Sequence, residues 1–101
     1  MVSRAARIDI EMPVELRLDD SEAIVVERCL NISETGMLVL TKEARPRGTP
    51  VRFEFGPQFK GMSEVIWARE AGERGTLLGL RFHPLDRAAR KALEGLLKAS
   101  V

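Results

Sequence analysis

The chain has 101 residues, 45% of them hydrophobic, enough for one domain with a real core and too few for two. Its 16 basic and 15 acidic residues nearly cancel to a net charge of +1. No global field therefore draws it onto nucleic acid or an anionic membrane, and any anion it binds has to be met locally.

Ile8, Ile10, Met12, Val14, Leu16 and Leu18 are apolar at every second position, with Asp9, Glu11, Glu15 and Arg17 between them, the period of a half-buried strand. Pro13 cannot donate to a ladder, so an edge, a bulge or a bend is expected there. Asp19-Asp20-Ser21 supplies a turn. Ala23 to Leu30 follows as a central strand, with Ile24, Val26 and Leu30 on one face and Val25 and Cys29 making the other partly apolar. Gly36 to Leu40 is a third strand, and Lys42 to Pro50, carrying Pro46, Gly48 and Pro50, is a loop that no helix crosses. Val51, Phe53 and Phe55 alternate with Arg52 and Glu54 in a fourth strand closed by Gly56-Pro57. Met62 to Ala71 reads as the fifth, Ala71 to Gly75 as a turn, and Thr76 to Phe82 as the sixth.

Six short strands at regular spacing predict a small barrel. The period then changes: Leu85, Ala89, Leu93, Leu96 and Leu97 recur at helical spacing, with Arg87, Arg90, Lys91, Glu94 and Lys98 on the other side and Asp86 as N-cap. The apolar stripe of that helix has to cover an open end or flank of the sheet. The organisation expected is one domain, with an N-terminal arm over residues 1–7, a barrel over 8–83 and a helix over 85–100.

The chemistry of a catalyst is sparse. One His, one Cys and no Tyr leave little to tune for acid–base or nucleophilic work, and too few ligands for a zinc site. The chain reads as a non-enzyme without metal or cofactor. Cys29, alone in an apolar run, reads as a buried and inert thiol suited to a reducing compartment. No apolar stretch approaches the ~20 residues that span a bilayer, and no secretory signal opens the chain, so a cytoplasmic protein without membrane insertion is expected. Trp67, between apolar neighbours, reads as a core or barrel-wall residue, and Phe53, Phe55 and Phe82 as core.

The most informative stretch is Asn31-Ile32-Ser33-Glu34-Thr35-Gly36, between two strands. Asn31 and Ser33 offer short donor and acceptor groups, and Gly36 permits a positive φ or a close backbone approach. The same spacing occurs in plain turns, where Asn and Ser bond their own backbone. Arg4 and Arg7, ahead of the first strand, sharpen it into a polar, cationic site on the barrel rim.

With these features in view, the chain resembles the PilZ domain family over nearly its whole length. Asn31, Ser33 and Gly36 complete that family's Asp/Asn-x-Ser-x-x-Gly motif, while Val65-Ile66-Trp67 and Gly79-Leu80-Arg81-Phe82 stand where the family carries similar residues. The family's Arg-x-x-x-Arg pair is here Arg4-x-x-Arg7, one residue shorter, with Ser3 four residues before Arg7. The resemblance implies an all-β fold with one C-terminal helix, a six-stranded antiparallel split barrel, and a receptor for cyclic di-GMP. Arg4, Arg7, Asn31, Ser33 and Gly36 would then bind the ligand, since guanidinium groups can stack on guanine, fork to its O6/N7 edge or pair with phosphate. It further implies signalling to a protein partner in bacterial motility or surface behaviour, by a monomer or weak homodimer with no DNA or RNA ligand. The alternative is an adaptor of the same fold that no longer binds the nucleotide and acts through protein contacts alone.

Overall fold

The alternating pattern resolves into strands β1 (Arg7–Leu18), β2 (Val25–Ser33), β3 (Gly36–Thr41), β4 (Pro50–Glu54), β5 (Lys60–Glu70) and β6 (Thr76–Phe82), a 3₁₀ turn at Gly72–Arg74, and helix α1 (Arg87–Ala99). This computed structural model describes residues 7–19 and 21–99. Every neighbouring pair is antiparallel, and the order β1-β2-β3-β6-β5-β4 closes on itself, leaving no free sheet edge. The expected six-stranded antiparallel barrel with one C-terminal helix is therefore the fold.

Val14, Leu16, Ile32, Val39, Val51, Phe53, Val65, Leu78 and Leu80 fill the lumen and are essentially inaccessible to solvent. At one end Phe53, Phe59 and Phe82 meet with ring centroids 5.1 to 5.8 Å apart, and Phe55 stacks on Phe59 at 5.4 Å. Helix α1 closes that end by adding Ala89 and Leu93 to the same buried cluster, with Leu96 and Leu97 packed beside it. Asp86 is its N-cap, as expected: the Ala89 N–H donates to Asp86 Oδ1 at 2.8 Å. Pro13 faces Arg28 on β2, at a level where β1 has not yet begun to pair with β4, so its missing N–H costs no ladder bond on that side.

One expectation needs correction. β2 begins and ends later than predicted: Ile24 and Val26 are exposed, whereas Cys29, buried as expected, and Ile32 point into the core. Cys29 and Ile32, three residues apart, both point inward because a register shift between Cys29 and Asn31 places Leu30 as an extra residue opposite β3. Of the two readings of Trp67, core or barrel wall, the structure has the wall, for a parallel reason given below.

Candidate functional site

Period-two geometry alone would point Asn31 inward, since it lies two residues from buried Cys29. The bulge at Leu30 turns it out. Asn31 then pairs with Leu38 of β3, Leu38 with Gly79 of β6, and Gly79 with Trp67 of β5, one row across four strands on the outer wall. A second bulge does the same for Trp67: Val65 is buried, and the extra residue Ile66 rotates the next position outward, leaving the indole 41% exposed. Gly79 gives the indole its seat. A Cβ there would lie 2.3 Å from Trp67 Nε1 and 2.4 Å from Cε2, so only a glycine lets the ring rest on the backbone. The Arg69 guanidinium stands 5.7 Å from the ring centroid, a cation–π distance.

One row further along lie Arg7, directly opposite Ser33, and Gly36, directly opposite Arg81. Ser33 organises the β2–β3 turn: its Oγ accepts the Thr35 N–H at 3.3 Å and shares a hydrogen bond of 3.2 Å with Thr35 Oγ1. The Phe82 N–H donates to Thr35 O at 2.8 Å and ties the turn to β6. Gly36 has no positive φ. It is required by close approach instead, since a Cβ would lie 1.9 Å from the Leu80 carbonyl oxygen.

Arg7, Asn31, Ser33, Gly36, Trp67 and Arg81 thus border one shallow recess of about 120 Å³. Among the described residues neither the Arg7 guanidinium nor the Asn31 carboxamide has an intramolecular partner, so both are available to a ligand. Arg81 keeps only a loose, exposed pairing with Glu64 at 3.8 Å. Beneath the recess the Cys29 thiol donates to Asn31 O at 3.3 Å, and burial pushes its pKa up to about 12, so it carries no nucleophile into the site. Among the described residues no cluster of His, Cys, Asp or Glu could hold a metal ion. The arrangement offers two guanidinium groups, a carboxamide and an indole face on one open surface, the means to hold a flat, anionic, hydrogen-bonding molecule.

The sequence matches the PilZ domain model over residues 2–99. The chain belongs to the PilZ domain family. Among the solved structures that share the fold of this PilZ domain are an inhibitor of motility and two further PilZ domains. The Bacillus subtilis inhibitor of motility MotI/DgrA is 16% identical with a TM-score of 0.77 over 98% of this chain and 51% of its own, so the chain spans about half its length. The PilZ domain of YcgR from Escherichia coli, solved with c-di-GMP, is 19% identical with a TM-score of 0.71, covering 99% of this chain and 92% of that one. The PilZ domain of CeSA from a cellulose-synthesizing bacterium is 19% identical with a TM-score of 0.71, covering 94% and 97%. Comparison with curated proteins gives no match.

Of the residues that the sequence of this PilZ domain nominated, Arg7, Asn31, Ser33 and Gly36 come together at the recess. Arg4 lies outside the described residues. Sequence reasoning assigned no site role to Trp67, Thr35 or Arg81. The pairing of a lone tryptophan with a glycine on the adjacent strand, Trp67 with Gly79, was the available signal for an indole laid on an outer wall.

Proposed function

We propose that this PilZ domain is a non-enzymatic receptor for cyclic di-GMP. The observation that carries the reading is the convergence of Arg7, Asn31, Ser33, Trp67 and Arg81 on one recess, with the first two free of intramolecular partners among the described residues. That an E. coli PilZ domain of the same fold was solved with c-di-GMP supports it. The recess, at about 120 Å³, is well below the ~300–1,000 Å³ of an enclosed small-molecule pocket. A dinucleotide would therefore lie across the wall, and the segment bearing Arg4 would close over it.

In this reading Arg7 and Arg81 take guanine edges or phosphate, Asn31 hydrogen-bonds a base or phosphate, and the Trp67 indole offers a stacking face. Arg4 supplies the outer guanidinium from the N-terminal segment. Ser33 and Gly36 act by shaping the turn that presents Asn31. Closure of the segment creates a surface that a protein partner reads, in cytoplasmic control of motility or surface behaviour, a reading supported by the likeness to an inhibitor of motility.

Calorimetric titration with cyclic di-GMP tests this directly, with quenching of Trp67 fluorescence as a second readout because Trp67 is the sole tryptophan. Arg7→Ala removes a charged hydrogen-bonding contact worth ~1.5–3 kcal/mol and should weaken binding roughly ten- to a hundredfold while leaving the melting temperature nearly unchanged. No heat and no quench with ligand at about 100 μM would overturn the receptor reading. That result would favour the nucleotide-free adaptor, a second reading kept by one observation: the Ser33 hydroxyl and Gly36 both serve the fold itself, so their presence does not require a ligand.

A further inference from the structure

On the opposite side of the barrel, the seam between β1 and β4 carries an unusual arrangement of charge. On its outer face Glu15 lies directly opposite Glu54, and two residues along Arg17 lies directly opposite Arg52. Like charges facing each other across an antiparallel pair oppose sheet formation. The diagonal partners that could relieve this, Glu15 with Arg52 and Arg17 with Glu54, form no ion pair, and none of the four side chains has one among the described residues. Beside this block β2 places Val26 opposite Glu15, and Ile24 lies two residues earlier in the chain; they are 63% and 48% exposed, the two most exposed large hydrophobic residues described. The groove over the block is about 400 Å³ and is lined by Glu15, Arg17, Arg52, Glu54 and Ile24.

Among the described residues, a monomer leaves the carboxylates and guanidinium groups of this block without ion pairs and the apolar pair exposed, with Lys60 of β5 directly opposite Glu54 at its edge. One operation partners them all. Consider a two-fold axis between two copies laid wall to wall, running across the strands midway between the rows. It keeps each strand over its own copy and reverses direction along the strand, so each carboxylate row faces a guanidinium row. Glu15 then meets Arg17 of the second copy, Glu54 meets Arg52, and Ile24 meets Val26, each contact occurring twice as an isologous interface demands. An axis along the strands would instead set Glu15 on Glu54, so the charge pattern selects one geometry. A simple anion fits less well, since Glu15 and Glu54 flank the two arginines.

We propose that this PilZ domain forms an antiparallel homodimer through the outer face of the β1–β4 seam. The barrel order sets that seam across from the β3–β6 seam that borders the recess, so association leaves the recess open. The dimer does not depend on the nucleotide reading.

Sedimentation velocity on the intact chain, over concentrations up to about 1 mM, supplies the test. The wild type should dimerise at low salt and do so at least about tenfold more weakly in ~1 M salt. Arg17→Glu and Glu15→Arg should each give a folded monomer, verified by circular dichroism. Mixed one to one, the two variants should form a heterodimer, because the all-acidic β1 face of one meets the all-basic β1 face of the other. Disrupted folding could not produce that rescue. A wild type that stays monomeric at every salt, single variants that dimerise as the wild type does, or a mixture that stays monomeric would each overturn the proposal. A monomeric wild type would also leave the face to a different occupant.

Discussion

Replacing Gly36 with alanine is the sharpest probe of how the site is built. The new Cβ would stand 1.9 Å from the Leu80 carbonyl oxygen, 3.0 Å from its carbon and 3.2 Å from Arg81 Cα, all backbone atoms that no rotamer change can move aside. Ordinary van der Waals contact needs about 3.5 Å, so the start of β3 has to back away from β6 by roughly 1.5 Å. A shift of that size breaks N–H···O bonds at the end of the β3–β6 ladder. Two such bonds at ~0.5–1.5 kcal/mol each, with an overpacking strain of ~1–3 kcal/mol, give about 2–6 kcal/mol against a total stability of ~5–15 kcal/mol. For a domain of this size the melting temperature should fall by at least ~8 °C. Gly95→Ala is the internal control. A Cβ at Gly95 meets nothing within 4 Å, the site lies within α1, and alanine there should stabilise by ~0.5–1 kcal/mol. Thermal and urea unfolding of the two variants, each with cyclic di-GMP titrated at a temperature where it is folded, separates packing from ligand contact. A Gly36→Ala protein that melts within about 3 °C of wild type would refute the close-approach argument and return Gly36 to a role in ligand binding.

Gly79→Ala should displace the indole rather than a strand, because the clashing atoms belong to the Trp67 side chain; the expected result is a shifted tryptophan emission and weakened nucleotide binding, with a smaller stability loss than Gly36→Ala. Unchanged emission would show that the ring does not rest on Gly79. Asp86→Ala removes the carboxylate that accepts the Ala89 N–H and should cost ~1 kcal/mol in urea unfolding without altering the recess on the barrel wall. Cys29, raised by burial from its ordinary 9.0 to about 12, stays protonated in the fold at a pH where the unfolded chain ionises. Unfolding therefore releases a proton, and stability should be complete below about pH 9 and decline from there toward pH 12, with the decline reduced in Cys29→Val. A thiol reagent at pH 8 should label Cys29 only as fast as the protein opens, so rapid labelling of the native state would contradict its burial.

Much of the architecture was legible in the chain because its elements are locally determined. Alternation marked all six strands, β6 to the residue, and the change to helical spacing with Asp86 in front marked α1 and its cap. The Asn31 to Gly36 motif located the rim that became one wall of the recess. Where reading along the chain failed, the failure had one physical source. Strict alternation from buried Cys29 would point Asn31 inward, and from buried Val65 would point Trp67 inward. The bulges at Leu30 and Ile66 invert the parity of whatever follows, and a bulge is settled by how two strands meet, which no window of residues records.

The sequence by itself determined where the chain extends, turns and coils, and which short polar side chains sit near a strand end, since propensity and period act over a few residues. Only the tertiary structure decided which way those side chains point and what stands beside them. Asn31 and Trp67 are 36 positions apart in the chain and face solvent on one row because two bulges turn them outward and the closed barrel brings β2, β3, β6 and β5 into register. Glu15, Arg17, Arg52 and Glu54 likewise become a self-complementary block only through the pairing of β1 with β4. Direction and adjacency are properties of closure, where hydrogen-bond register and packing are satisfied around the whole ring at once.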